Sequence, residues 1–224
     1  MERMVQRICL ISDNLCYGPC PAEDDEIIHR LTIRRDGRIF LTVCNYQDAE
    51  LYRQWLRCSP VRAGNLLDKI AGYFSKEKDF LISCTDVGMW TLQVFYSDGS
   101  KDEYSCSLQG RYNTLTRDVR RLVDVPSLFG FSGENGRAIT LMKACKKALE
   151  FFGEEYIVSI LDVKRGYVIM PISKEWGVPC NSPCIVDKSS GAVDAFFPPD
   201  HQEEIKTGRY LKIPHKYALP KIKQ

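Results

Sequence analysis

Hydrophobic and polar residues alternate with a period of two along residues 27–43, "IIHRLTIRRDGRIFLTV". The alternation pauses at Asp36-Gly37, a dipeptide that favours the positive φ angles of a tight hairpin loop. A second segment, "MWTLQVFY" followed by "KDEYSCSL", has the same pattern on either side of Asp98-Gly99. The first half of the chain is therefore predicted to contain two β-hairpins.

Apolar residues recur every three to four positions in two further segments of the first half, which predicts helices. The first segment is "SPVRAGNLLDKIAGYF", in which Ser59 is a suitable N-cap and Pro60 a suitable first helical residue. The second runs from Leu115 to Val123, with Thr114 as its predicted cap. The predicted order is hairpin, helix, hairpin, helix.

The second half begins with an amphipathic segment, "AITLMKACKKALEFFG", which predicts a helix that ends at Gly153. Short runs rich in Val, Ile, Tyr and Phe follow it and predict a small, mostly antiparallel sheet. The runs are "YIVSILDV", "GYVIMPI", "SPCIVD", "GAVDAFF" and "RYLKIP". The apolar stripe of the helix consists of Ile139, Met142, Cys145, Leu149 and Phe152.

Between the two halves, residues 131–137, "FSGENGR", carry turn-forming residues and no apolar pattern after Phe131. We predict a linker here. The chain is then an α+β protein of two small domains, each a mostly antiparallel sheet with one or two packed helices. The predicted domains are residues 1–130, with two hairpins and two helices, and residues 131–224, with one helix followed by a small sheet.

The composition is that of an average globular protein, with 224 residues, of which 44% are hydrophobic and 27% charged. No apolar run is long enough to cross a bilayer. The N-terminal stretch "ICLI" is too short for the core of a signal peptide. We therefore expect a cytoplasmic protein, and the formal net charge of +2 predicts no strongly charged partner.

Ten cysteines are distributed over the whole chain. Without an export signal, most are expected to be reduced thiols that pack as small apolar side chains. Two pairs share the spacing C-x-x-x-C, in "CYGPC" and "CNSPC", and four thiolates would suit a tetrahedral zinc ion. The pairs lie on different predicted domains, so we predict no bound metal. The alternative is a zinc site formed by Cys16, Cys20, Cys180 and Cys184.

The sequence contains no assembled catalytic motif. Its three histidines do not form H-E-x-x-H, G-x-S-x-G is absent, and no glycine-rich loop joins a strand to a helix in the manner of a phosphate site. A Cys–His pair that meets only in the folded protein remains open as an alternative. We expect a protein that is not an enzyme and has no cofactor.

Two segments are candidates for binding a protein partner. The first is an acidic run before the first hairpin, which has the charge to attract a basic partner. The second is the loop "ISKEWGVPCNSP", where a large aromatic side chain is either a binding anchor or a lid on the local core. The candidate residues are Glu23, Asp24, Asp25, Glu26 and Trp176.

The segment from Ile205 to the C-terminus is basic and contains no acidic residue. Its interleaved Tyr210, His215 and Tyr217 resemble a strip that faces nucleic acid, although a solvated tail has the same composition. The positive residues are Lys206, Arg209, Lys212, Lys216, Lys221 and Lys223.

One pattern in the last 80 or so residues has a known counterpart. A strand ending in Asp162 is followed by a second strand and by a hairpin of the form P-x-hydrophobic-V-D-K-x-x-G-x-V, from Pro183 to Val193. This part resembles the small bacterial immunity modules of the YrhB type, and the final strand "YLKIP" fits as well. The first half resembles uncharacterised bacterial domains that contain "DVGMWTLQVFYSDG". The resemblance implies a protein that binds and neutralises a toxin, with no catalytic residues to carry over.

Our leading hypothesis is therefore a non-enzymatic protein-binding module, most concretely an immunity protein with a cognate bacterial toxin as partner. The alternative is a structural or regulatory domain of unknown partner that contacts nucleic acid through the basic C-terminal segment. An enzyme of unfamiliar type is the third possibility.

Overall fold

The computed structural model describes residues 3–15, 20–76, 87–133, 138–172 and 182–220. These residues form two antiparallel sheets, of six and five strands, and four α-helices. The predicted α+β class is confirmed. The chain divides into two compact units, Met1–Asn135 and Gly136–Gln224.

The first unit is built on a six-stranded sheet in the order β4-β3-β2-β1-β5-β6, in which all neighbours are antiparallel. Strands β1 to β4 form a meander, and the β5–β6 hairpin joins it beside β1. The strands are β1 (Val5–Asp13), β2 (Ile28–Arg34), β3 (Arg38–Cys44), β4 (Glu50–Arg57), β5 (Met89–Tyr96) and β6 (Lys101–Ser107).

Both predicted hairpins of this unit are confirmed. Gly37 and Gly99 have φ angles of 83° and 85°, a region that other residues rarely adopt. A Cβ atom at Gly37 would also lie 2.2 Å from the carbonyl oxygen of Cys58, so this turn requires glycine for two reasons.

Strands β1 and β4 were not predicted from the sequence. The β1 strand includes the apolar stretch "ICLI", which is too short for the core of a signal peptide, and it is a central strand that pairs with both β2 and β5. The β4 strand forms one edge of the sheet.

Two helices, α1 (Pro60–Phe74) and α2 (Asn113–Val123), contribute to the core of the first unit. The α1 helix packs on β1 and β2, and α2 packs on α1. Pro60 is the first residue of α1, as predicted. The predicted cap of α2 is wrong, because the helix begins before Thr114 and continues a 3-10 turn at Gly110–Tyr112.

The predicted linker begins too early. Phe131 is fully buried among aromatic rings of the first unit, with ring centroids 5.2 Å from Trp90 and 5.3 Å from Phe74. Its backbone N–H donates to Thr116 Oγ1 at 2.9 Å, and Ser12 Oγ donates to the carbonyl oxygen of Gly130 at 2.5 Å. The first unit therefore includes Phe131, and Glu134 to Arg137 lie outside the described residues.

The second unit is a five-stranded antiparallel sheet in the order β10-β9-β8-β7-β11, with α3 (Leu141–Phe152) packed on it. Thr140 caps α3 by accepting from Lys143 N–H, and Gly153 ends it in the left-handed conformation, as predicted. A short helix, α4 (Gln202–Thr207), was not predicted. The strands are β7 (Tyr156–Asp162), β8 (Gly166–Ile172), β9 (Cys184–Asp187), β10 (Val193–Ala195) and β11 (Arg209–Leu211).

In the part of the chain that the structure describes, no helix combines the length and the apolar character needed to cross a bilayer.

Candidate functional site

The acidic run lies in the turn that leads into β2, and its four residues differ in accessibility. Glu23 is exposed, while Asp24 and Asp25 are half-buried. Asp25 Oδ2 accepts a hydrogen bond from the backbone N–H of Ala22 at 2.9 Å, so this carboxylate shapes the turn. The run therefore presents a smaller acidic surface than its sequence suggests.

Glu26 does not belong to that surface, because its side chain is completely enclosed. The Tyr52 hydroxyl donates to Glu26 Oε2 at 3.2 Å, and His29 Nε2 lies 3.4 Å from the same oxygen. Buried carboxylates need such partners, because an unpaired charge away from water is costly. Because its side chain is buried, Glu26 is not available for direct contact with a protein partner, contrary to the prediction from the sequence.

His29 also contacts the segment that follows α2, through the ring nitrogen that does not face Glu26. Its Nδ1 accepts a hydrogen bond from the backbone N–H of Phe129 at 3.2 Å, and the two rings stack 3.8 Å apart. A neutral His29 then carries its proton on Nε2, facing Glu26. The Glu26–His29–Tyr52 cluster thus links β2, β4 and the chain around Phe129 inside the core.

Two of the four cysteines in the alternative zinc site, Cys16 and Cys180, lie outside the described residues, as does Trp176. Cys20 is exposed. Cys184 is fully buried in β9, and burial raises the pKa of its thiol to about 12. A thiol in this environment stays protonated at neutral pH, and the thiolate is the form that binds metals. Over the described ranges, no three His, Cys, Asp or Glu side chains cluster as a metal site would require.

The residues that carry the resemblance in the second half meet in the structure. Lys188, in the β9–β10 hairpin, places Nζ 2.5 Å from Asp162 Oδ1 at the end of β7. The same ammonium donates to the carbonyl oxygen of Val163 at 2.9 Å. Arg209 of β11 contacts the other carboxylate oxygen of Asp162 at 2.6 Å. Asp162, Lys188 and Arg209 therefore form a largely buried ionic cluster that joins three parts of the sheet.

The turn between β9 and β10 is organised by Asp187. Its Oδ1 accepts hydrogen bonds from the backbone and hydroxyl groups of Ser189 and Ser190, at 2.6 to 3.0 Å. These bonds, led by the Ser189 hydroxyl, hold the pKa of Asp187 well below its usual range. The predicted hairpin is confirmed.

The basic C-terminal segment is less available than its composition suggests. Arg209 is paired with Asp162, and Lys206 Nζ lies 2.6 Å from Glu203 in α4. Lys221 and Lys223 lie outside the described residues. The segment is therefore a weaker candidate for contacting nucleic acid.

Sequence reasoning missed a different basic surface, the outward face of the six-stranded sheet, here called the open face. It consists of the side chains that alternate with the core positions in β1 to β6. Cross-strand pairing aligns Trp55, Phe40, Thr32, Cys9, Gln93 and Glu103 in one row across all six strands. The basic side chains of the open face are Arg7, Arg30, Arg34, Arg38, Arg53, Arg57 and Lys101.

Several of these charges have carboxylate partners. Arg30 contacts Asp48 at 2.6 Å, Arg53 contacts Glu50 at 2.5 Å and Lys101 contacts Glu103 at 2.9 Å. Asp36 lies between Arg34 and Arg38, and the hydrogen bond from the Arg38 side chain is the main reason that its pKa is lowered to about 2. Arg7 and Arg57 have no ion pair with any described residue. The open face therefore has a net positive charge.

Comparison of the sequence with known protein families found no matching family, and a search of curated proteins found no relative.

Proposed function

We propose that this chain is a non-enzymatic protein-binding module that neutralises a cognate bacterial toxin. The proposal rests on the resemblance of the second half to immunity modules of the YrhB type. The observation that supports it is the Asp162–Lys188 contact, at 2.5 Å, between the two most distinctive polar positions of the shared pattern. These residues connect the end of β7 to the β9–β10 hairpin, which fits a module whose shared residues maintain a fold while the contact surface varies.

The acidic turn remains the first choice for the contact with the toxin, now reduced to Glu23 and Asp24. A basic toxin would be attracted to this turn, since complementary charge speeds association. The effect is strongest at low ionic strength, where the Debye length is greatest.

The direct experiment uses the products of the genes adjacent to the gene of this chain. We expect one of them to arrest bacterial growth when expressed alone, and co-expression of this chain to restore growth. The purified pair should form a stable complex. If no adjacent product is toxic, or if growth arrest persists in the presence of this chain, the proposal is wrong.

A second experiment tests the contact surface separately. In the complex, Glu23→Lys with Asp24→Lys should slow association about tenfold at low salt, because steering by charge is lost. The matched control is Glu150→Lys with Asp194→Lys, which changes the same charge at exposed positions of the second unit. Equal association rates for the two variants would exclude the acidic turn while leaving toxin neutralisation itself intact.

A further inference from the structure

The charges on the open face are arranged in a way that costs stability. In the sheet register, Arg7 lies directly opposite Arg34, and Arg38 lies directly opposite Arg57. Like charges at directly opposed positions of neighbouring strands repel each other. Asp36 is the one carboxylate that contacts any of these four arginines among the described residues. Both pairs lie in one cross-strand row, next to the row that contains Trp55. A surface that only needed to be soluble would not require two such pairs side by side.

Aromatic side chains lie among these arginines. Trp55 is 69% exposed and meets Phe40 edge-on, with centroids 4.6 Å apart. Further along the sheet, the Arg7 guanidinium lies over the Phe95 ring, 4.0 Å from its centroid. The open face therefore carries an exposed aromatic ring on β4, on the same strand face as Arg53 and Arg57, and a guanidinium group stacked on an aromatic ring of β5.

This combination matches the chemistry of a single-stranded nucleic acid. The phosphates of such a ligand would neutralise the opposed arginines, and its bases would stack on exposed rings and guanidinium planes. With strands about 4.8 Å apart, the row from Trp55 to Glu103 is about 24 Å wide, which gives room for several nucleotides. We propose that the open face binds single-stranded RNA or DNA without strong sequence preference.

Two other polyanions fit the surface less well. An acidic protein segment would satisfy the arginines, but its acidic side chains have no extended aromatic face to stack on Trp55, whereas every nucleotide carries a base. A nucleic-acid duplex keeps its base faces stacked inside, and its grooves are read by a protruding helix or ribbon. The open face is a broad sheet surface, so unpaired bases are the better match. The inference does not depend on toxin neutralisation.

The test is fluorescence anisotropy with labelled twelve-nucleotide oligouridylate and oligothymidylate, measured with the full chain over a series of salt concentrations. Arg34→Gln with Arg57→Gln should weaken binding and reduce the slope of log K against log[salt] by about 0.7 for each lost phosphate contact. The matched control is Arg117→Gln with Arg121→Gln, which removes two exposed charges from α2 in the same unit. The control should retain the native slope.

The aromatic contribution is tested separately by Trp55→Ala, which should weaken oligouridylate binding about tenfold, because stacking of one base is lost. Its control is Val61→Ala, at an exposed apolar position of α1. Circular dichroism checks that each variant is folded. A duplex and polyglutamate serve as competitors, and both should compete poorly.

Equal effects of the open-face and α2 double variants would overturn the proposal. So would polyglutamate that competes as well as oligouridylate while Trp55→Ala has no effect, since the ligand would then be an acidic protein. A failure of the native chain to bind either oligonucleotide at about 50 mM salt would overturn it as well.

Discussion

Asp187 shows how one side chain can define a turn. A single carboxylate oxygen receives four hydrogen bonds from two consecutive serines, which fixes the path of the chain between β9 and β10. Bonds to an ionised acceptor are stronger than neutral ones. The hairpin that carries Lys188 therefore depends on the charge of its neighbour in sequence.

We predict that Asp187→Ala lowers the free energy of unfolding by about 1 kcal/mol at neutral pH, because four donors lose their acceptor. The pKa of Asp187 is lower in the folded state, so the stability it contributes is complete above its unfolded pKa and is lost as the pH falls toward the folded value. The difference between native and variant chains should be constant from about pH 7 to 5 and shrink below that. Urea unfolding from about pH 7 down to about pH 2 measures it, and a difference that does not shrink below about pH 4 would contradict the charge-based account.

The partners of Glu26 and His29 explain why the sequence did not predict that part of the candidate site is buried. A carboxylate in an acidic run indicates exposure by local composition, yet its partner Tyr52 lies 26 positions away. The partner of His29 is 100 positions away. Contacts at such separations leave no local pattern, so Glu26 could be assigned to the core only with the fold in hand.

At the scale of elements, the sequence predicted the regions in which alternation was clean and missed those in which it was not. In β1, Cys9 and Ile11 on the open face alternate with the core residues Ile8 and Leu10, so the strand has the sequence pattern of one short apolar run. In β4, the buried Gln54 places a polar residue at a core position. In both missed strands, the polarity of some side chains does not match the face of the sheet on which they lie. Apolar residues of β1 lie on the open face, and a polar residue of β4 lies on the core face.

The open face was invisible for a related reason. Strands β1, β2 and β4 each have an arginine at a position that is expected to be polar. When each is considered by itself, Arg7, Arg34 and Arg57 therefore indicate nothing unusual. Only the register of β1, β2, β3 and β4 brings them into one row. Pairing of strands is a property of the sheet and is not contained in any one of its segments.

The ionic cluster of Asp162, Lys188 and Arg209 connects β7, the β9–β10 hairpin and β11. We predict that Lys188→Met destabilises the second unit by about 3 kcal/mol, because Asp162 keeps its buried charge while it loses one partner and Val163 loses a donor. Chemical denaturation followed by circular dichroism measures the change.

Asp162→Leu combined with Lys188→Met is the informative control. Replacing both members of a buried pair by apolar residues is often close to neutral, and the Arg209 side chain, 32% exposed, can turn toward water. The double variant should therefore be more stable than Lys188→Met alone. A double variant that is less stable would show that the cluster contributes more than the removal of an unpaired charge.

On the scale of the whole molecule, each unit has its own sheet and its own buried core. In the second unit, Leu161, Val163, Val168, Ile185 and Phe196 form a continuous apolar cluster. The division after Asn135 places Phe131 with the aromatic core of the first unit. A unit with a complete core is expected to fold by itself.

We predict that residues 1–135 and residues 136–224, produced as separate chains, each unfold in one cooperative transition. The matched comparison is a cut after residue 127, which would remove Phe129 and Phe131 from the first core and should abolish its cooperative unfolding. Thermal melts and dispersed amide signals in nuclear magnetic resonance spectra provide the measurement. A gradual, non-cooperative melt of residues 136–224 would contradict independent folding.

The central position of β1 has a consequence for how the chain folds during synthesis. Strands β1 to β4 are contiguous along the chain and can pair once residue 57 has left the ribosome, but the other edge of β1 stays unpaired until the β5–β6 hairpin has emerged at residue 107. At about 5–20 residues per second, that interval lasts roughly 3 to 10 s. Throughout it, the nascent chain presents an unpaired strand edge to the cell, a state in which strands of other chains can add. The β1 strand is synthesised early, but both of its edges are paired only late. The time taken to translate residues 58–107 therefore determines how long the growing protein is exposed to misassembly.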